Sequence, residues 1–337
     1  MTCDWLDDAR RRLLDLRQGP GVWGYRGRST PAVEPSSLAA LGLLADPDRA
    51  SEEGRAVAFA TARWLASIRQ LDGSLGVTTA LPEPGWATPF ALLLWSGLGG
   101  LEAERSKAVA WLLKLEGQTM ARSIDDPMGH DASIVGWPWV AGTHSWVEPT
   151  AMALLALGRE NFADHPRARE GVRLLLDRAI PTGGWNLGNP VVFGTPLRPF
   201  PGPTGLALLA LARSGARSKV VDQALAYLQP ALARTLAPIS LGWGLLALRA
   251  WGDWPVEAEQ WLASAYEKVA AREPRTVELA MLLLASGSRS LELLGAEHPG
   301  SSVVYGRSSE IPHSTIDHRS SAIDHAMANE REAIRHA

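Results

Sequence analysis

The sequence predicts an all-α protein: a closed (α/α)6 toroid of six helical hairpins with apolar inner helices, followed by a disordered C-terminal tail. Three observations predict it. Proline opens an apolar, Ala/Leu-rich run six times, at Pro35, Pro89, Pro149, Pro203, Pro238 and Pro274. Amphipathic segments alternate with these runs, and the links that lead into the first four runs are long and rich in Gly and Trp. Self-similarity over tens of residues marks a repeat architecture, whose units bury their faces only against their neighbours.

The amphipathic segments come first in each pair. They are DWLDDARRRLLDLRQ from Asp4, GRAVAFATARWLASIRQ from Gly54, AERSKAVAWLLKL from Ala103, PRAREGVRLLLDRA from Pro166, VVDQALAYLQPALAR from Val220 and VEAEQWLASAYEKVAA from Val256. Arg, Lys and Glu fall on one side of each and Leu, Val and Trp on the other, which is the pattern of a helix with one wet face. The second members are EPSSLAALGLLA from Glu34, TPFALLLWSGL from Thr88, EPTAMALLAL from Glu148, GPTGLALLALA from Gly202, APISLGWGLLALRA from Ala237 and EPRTVELAMLLLA from Glu273. Each is apolar nearly all round and must be buried on most sides. Proline suits their starts because the first-turn N–H groups have no helical partner and its fixed φ matches the helix. Six antiparallel pairs with the apolar partner always second fit two concentric rings. Closure is favoured over an open solenoid because neither terminal pair shows a polar capping face.

Residues 1–286 form the expected toroid. From residue 287 to 337 the chain is polar and Ser-rich, too poor in apolar residues for a core, and is expected to be disordered. Five of the eight histidines lie there without ligand-like spacing.

Composition narrows the function. At 337 residues and 46% hydrophobic content the chain can bury a large core as one domain. A net charge of −3 with no basic stripe argues against nucleic acid as a partner. A single cysteine, Cys3, excludes a disulfide framework and a cysteine-rich metal site. The apolar runs fall short of the ~20 residues that cross a bilayer, and no secretory signal is read at the start. A cytoplasmic protein is expected, with peripheral membrane contact left open and no protein partner indicated.

The Gly/Trp-rich links all enter the starts of inner helices and so crowd one rim, which points to that rim as the binding side. The longest link, Glu116 to Ser145, holds Ser123-Ile124-Asp125-Asp126 and His130-Asp131. Asp and Gly are good turn formers, so solvated turn residues compete with a catalytic role for Asp125 and Asp126. Fourteen Trp against four Tyr and five Phe is a skewed aromatic set. Trp faces bind cations best among aromatic side chains. Trp86, Trp95, Trp146 and Trp243, at or on inner helices, are candidate cavity-lining residues, whereas Trp23 and Trp185 in the Gly-Trp turns are expected to staple helices together.

A helix ending in Gln, a Gly-Trp turn and a Pro-Thr-Ala-Leu helix resemble the repeats of squalene and hopene cyclases and of protein prenyltransferase β subunits. LLDLRQGPGVWG from Leu13 and RWLASIRQLDGSLG from Arg63 are similar to the cyclases' Gln-Trp repeat; GGWNLGNP from Gly183 and EPTAMALLAL fit either branch. The resemblance covers about residues 4 to 286. It implies a linear isoprenoid held in a central apolar cavity and, for the cyclase branch, cyclisation begun by a proton from a DxDDTA aspartate. WVEPTA, Trp146 to Ala151, stands in that position, with Glu148 where the middle aspartate would be. Three roles stay open for Glu148: helix cap, Brønsted acid and metal ligand. Glu34, in the same slot of the first pair, and His144, four residues before Glu148, join it as candidate binding residues. The SIDD run is similar to DxDD, with Asp125 matching the protonating aspartate. The zinc ligands of the prenyltransferase branch have no counterpart, so no metal site is expected, and Mg²⁺ enters only if the substrate is a diphosphate. Arg122, Arg159 and Arg198 are candidates to bind such a group. A non-catalytic isoprenoid-binding or scaffold toroid is the alternative.

Overall fold

The computed structural model describes residues 4–27, 29–121, 129–215, 217–273 and 275–296. In chain order the helices are α1 (Trp5–Asp15), α2 (Val33–Leu44), α3 (Glu52–Ile68), α4 (Thr88–Leu98), α5 (Glu102–Lys114), α6 (Val147–Arg159), α7 (Pro166–Asp177), α8 (Pro201–Ala212), α9 (Lys219–Leu232), α10 (Pro238–Ala250), α11 (Ala258–Ala270), α12 (Thr276–Ser286) and α13 (Ser290–Leu293). The even-numbered helices α2 to α12 make an inner ring in which each packs on the next and α12 packs back on α2. The ring is closed, as expected, and the odd-numbered helices from α1 to α11 form the outer layer, α1 seating on α12 and α11. An unexpected two-strand hairpin, β1 (Val191–Val192) and β2 (Thr195–Pro196), interrupts the link into α8.

The inner helices begin up to two residues before their prolines at Pro35, Pro89, Pro149 and Pro203, and at Pro238 itself. A proline anywhere in the first turn leaves the hydrogen-bond ladder intact. Pro274 lies outside the described residues.

A recurring bracket explains why the Gly-Trp turns precede these helices. In α2, α6 and α8 a hydroxyl in the first turn accepts the N–H of the turn's Trp and donates to its carbonyl. The pairs are Ser36 with Trp23 (2.9 and 3.1 Å), Thr150 with Trp137 (3.0 and 3.4 Å) and Thr204 with Trp185 (2.9 and 3.1 Å). Thr88 makes the same pair with Leu75 (3.0 and 3.3 Å). All four hydroxyl residues are buried; each satisfies a backbone N–H that would otherwise be stranded and adds a second bond to a carbonyl that already accepts a backbone N–H. The indole N–H groups of Trp23, Trp137 and Trp185 then reach the outer helices, donating to the carbonyls of Leu13 (2.8 Å), Leu112 (2.8 Å) and Leu175 (2.6 Å). These tryptophans are structural staples.

The rim is also tied from unit to unit. The N–H groups of Val33, Trp86, Val147 and Thr276 donate to the carbonyls of Val77, Trp139, Leu187 and Tyr25, each in a neighbouring link. Two inner contacts are backbone to backbone: a Cβ at Gly205 would lie 2.6 Å from the Gly244 nitrogen, and one at Gly42 would lie 2.9 Å from the Ala280 carbonyl. Glycine lets α8 meet α10, and α2 meet α12, at that distance.

The opposite end of the ring is plugged. Short α13 touches α4, α10 and α12, and Leu293, Leu294 and Ala296 are fully buried. Arg289 grips Glu292 with two bonds (2.9 and 3.0 Å), and Arg249 donates to the Gly287 carbonyl (2.6 Å). The packed chain therefore runs to Ala296, ten residues past the boundary expected at 286. A four-residue helix is too short to show a period inside the polar stretch around it. Residues 297–337, the rest of the expected tail, lie outside the described residues.

Candidate active site

The brackets fix which way the inner helices face. At about 100° per residue, positions two before and two after the bracket hydroxyl lie on the other side of the helix, one turn apart, facing the ring axis. This stacks Glu34 over Leu38, Glu148 over Met152 and Gly202 over Leu206; at α4 the ring of Trp86, from the turn before the helix, meets Phe90. Glu34, Trp86 and Glu148 keep partial access to solvent, while the four residues beneath them are buried. One turn further down, Leu41, Leu93, Leu155 and Leu209 are closed off. We call this end of the ring the cup: two carboxyls and an indole stand at its wall, and its floor is apolar. The ring below it is filled by leucines.

Glu34 and Glu148 each stand second in their helices. Neither caps: the N-cap residues are Ala32 and Trp146, and no side chain bonds the first-turn N–H groups. Glu34 instead accepts the Tyr25 hydroxyl, Oη to Oε2 at 2.6 Å. Burial is the main cause that pushes the Glu34 pKa up to about 7; the Tyr25 bond opposes this and the charge of Glu148 adds to it. Burial likewise raises the Glu148 pKa above the usual carboxyl range. Desolvation by the apolar floor thus outweighs the helix N-termini, which favour the ionised form. Tyr25 is itself pushed up, by burial first and then by the Glu34 carboxylate.

Trp86 sits in the turn that leads into α4, the helix between those that carry the two acids. Its ring meets Phe90 edge-on (centroids 6.0 Å apart) and Trp139 likewise (5.4 Å). The link carrying Trp139 is held by Arg167, whose guanidinium lies 3.8 Å over the Trp137 ring and donates to the carbonyls of Leu115 (3.0 Å), Val135 (3.1 Å) and Gly136 (2.7 Å). Burial lowers the Arg167 pKa to about 10.

The other expected site residues fall in different places. Trp146 is partly buried against Gly188, and Trp243 is buried in the middle of α10. Trp95 does not line the cup: it is fully buried and its indole donates to the Ala62 carbonyl on α3 (3.0 Å), facing the outer layer. His144 is exposed in the link before α6, its Nδ1 3.1 Å from the Gln118 carbonyl. Arg159 is at the plugged end, 3.7 Å from Glu292, because it ends α6 where Glu148 begins it. Arg198 is exposed on the rim. Asp125, Asp126 and Arg122 lie outside the described residues. Among the described residues no three His, Cys, Asp or Glu side chains are grouped to hold a metal ion. Sequence reasoning missed Tyr25, whose only signal is a hydroxyl in the turn VWGYRG shortly before Glu34.

No family profile and no curated protein sequence matches the chain. Solved structures do. A type II terpene cyclase, MstE from Scytonema, in complex with its substrate geranylgeranyl dihydroxybenzoate, is 12% identical, with 86% of this chain aligned to 96% of that one and a TM-score of 0.53. The same enzyme with its product merosterolic acid A gives 13% identity, 87% and 97% coverage and a TM-score of 0.53. An inactive variant of an α-1,6-mannanase from Salegentibacter, holding α-1,6-mannotriose, gives 11% identity, 87% and 99% coverage and a TM-score of 0.52. What this chain shares with these proteins is its fold, an α/α toroid.

Proposed function

We propose that the chain is a terpenoid cyclase-like enzyme that takes the end of a linear isoprenoid into the cup and cyclises it by protonation. The carrying observation is the pair of desolvated carboxyls, Glu34 and Glu148, flanking the Trp86 and Phe90 rings over an apolar floor. An acid in that setting has a proton to give near neutral pH, and aromatic faces stabilise the cation that follows. The cup admits only one end of such a substrate. Leu81, Val140, Leu187, Phe193, Leu197 and Phe200, all exposed on the links around the rim, offer apolar surface for the remainder. The same residues suit a cytoplasmic protein that touches a lipid surface by its rim, and no helix among the described residues is long and apolar enough to cross a membrane.

A second reading has one observation in its favour. The mannanase shares the fold, and paired carboxyls with one raised pKa also serve glycoside hydrolysis. The floor of Leu38, Phe90, Met152 and Leu206 gives sugar hydroxyls no partner, which favours the isoprenoid. The test is mass-spectrometric product analysis with squalene, linear isoprenyl diphosphates and a geranylgeranyl-bearing aromatic acid, with Mg²⁺ and with chelator, beside an α-1,6-mannan arm. A cyclised isomer lost in Glu34→Gln or Glu148→Gln supports the proposal. Released mannose, or an isoprenoid that binds and is recovered unchanged, overturns it in favour of hydrolysis or of carriage.

A further inference from the structure

We infer that Glu34 rather than Glu148 donates the proton in this site, that Tyr25 resupplies Glu34 from solvent, and that Glu148 receives the proton released at the end. The inference rests on the cyclase reading for its substrate and on this chain's own geometry for its residues. Of the two acids, Glu34 alone has a hydrogen-bonded route outward among the described residues. Its Oε2 takes the Tyr25 hydroxyl at 2.6 Å, and Tyr25 is 36% exposed, so the phenol has the carboxyl on one side and water on the other. Glu148 has no hydrogen bond or ion pair recorded within the described residues, which leaves both of its oxygens to accept.

The backbone that carries the phenol is held by another repeat. The Thr276 hydroxyl donates to the Gly24 carbonyl (2.7 Å), and the Thr276 N–H donates to the Tyr25 carbonyl (3.3 Å). Arg26 pairs with Arg275 in the next step of the same short bridge. α12 thereby clamps both sides of the tyrosine, so ring closure positions the relay. Trp86, in the turn that leads into the intervening α4, packs edge-on against Phe90 and Trp139 at the same rim.

The chemistry balances without a co-reactant. The Glu34 carboxyl proton goes to a terminal alkene carbon, and the π pair of that alkene becomes the new C–H bond. The resulting cation is attacked by the next double bond, whose π pair becomes the ring C–C bond. The last cation loses a neighbouring proton to the Glu148 carboxylate, and that C–H pair becomes the product alkene. The product is an isomer of the substrate. Tyr25 then passes its proton to Glu34 while taking one from water, and Glu148 releases its own to solvent.

The charged surroundings of Glu34 are few. From the preceding link come Tyr25 and Arg26; across the cup is Glu148; on α12 is Glu278, held by Arg272 through two bonds of 2.8 Å; and Glu273 lies near Gly27. α4 carries no charged residue. α3 bears its charges on exposed positions.

The test has a substrate-free arm and a turnover arm. An infrared titration of the carboxyl C=O band in the whole protein is expected to show a group with a midpoint of about 7 that disappears in Glu34→Gln. Tyr25→Phe moves that midpoint upward, because a donor to the carboxylate is lost, and Glu148→Gln moves it downward, because a neighbouring negative charge is lost. With an isoprenoid that is turned over, Tyr25→Phe lowers kcat by about tenfold to a hundredfold with KM little changed, in line with the loss of a hydrogen bond to a charged group. Glu148→Gln still consumes substrate but yields water-trapped alcohols in place of the alkene. The assignment is overturned if Tyr25→Phe leaves the midpoint where it was, or if Glu34→Gln retains turnover that Glu148→Gln abolishes. Failure of every isoprenoid would sink the cyclase reading while the titration still decides whether Tyr25 and Glu148 tune Glu34.

Discussion

Replacing Glu34 with Gln is expected to stabilise the protein, and only above the carboxyl range. The unfolded chain ionises at Glu34 near 4.5 and the folded protein near 7, because the cup desolvates the anion. Between those values the native state binds more protons than the unfolded state, so stability falls as pH rises through the interval, and the full loss is present above 7. At 1.36 kcal/mol per pH unit, the gap between 4.5 and about 7 amounts to about 3 kcal/mol, an upper bound because water reaches the open side of the cup. Gln keeps an oxygen to accept the Tyr25 hydroxyl and cannot ionise, so the variant escapes this loss. Guanidinium unfolding of both proteins across pH 4 to 8 is the assay. The two curves should coincide at the acid end and separate through the interval, with the variant up to about 3 kcal/mol more stable at pH 8. A constant offset, or a variant less stable at pH 8, would refute the assignment of a desolvated acid here.

Three further substitutions probe the frame that holds the cup. Thr150→Val keeps the shape and leaves the buried Trp137 N–H without its acceptor, so equilibrium unfolding should show a loss of about 1–3 kcal/mol. Gly205→Ala places a methyl 2.6 Å from the backbone of Gly244, which cannot move aside alone; a loss of about 3 kcal/mol is expected, and Gly99→Ala, where a Cβ has open space, is the steric comparison for thermal melts, its own positive φ adding strain. Leu293→Ala empties a fully buried position in the plug and should cost about 2–5 kcal/mol, with faster amide exchange in the last turns of α4 and α12.

The fold was legible because the repeats share local reasons for their shape. A first-turn proline recurs, a Ser or Thr brackets α2, α4, α6 and α8, a Trp stands in the preceding turn of three of these, and ring closure follows from the apolar inner helices. The site was legible only in part. Glu34 and Glu148 stand out because charges are rare on inner helices, yet nothing local says that they escape capping. Trp86 and Trp95 look alike in sequence, but Trp86 lies in the turn before α4, packed on Phe90 and Trp139, whereas Trp95 lies two turns inside the helix and faces α3. Arg159 is misplaced if only its helix is considered: eleven residues at 1.5 Å each put it roughly 17 Å from the mouth. Tyr25 was hidden because a residue in a glycine-rich turn has no period. Its backbone is tied down by Thr276, more than two hundred residues away. The plug was hidden for a related reason, since Leu293 and Leu294 have no amphipathic partner positions and are read correctly only once the hole they fill exists.

That plug makes the ring a blind vessel. With Leu293 and Leu294 closing one end and leucines filling the shaft, whatever enters between Glu34 and Glu148 must back out along the same path. A rigid polycycle would leave more slowly than its flexible precursor arrived, and release would become the slow step of each cycle. The first turnover would then outpace all those after it.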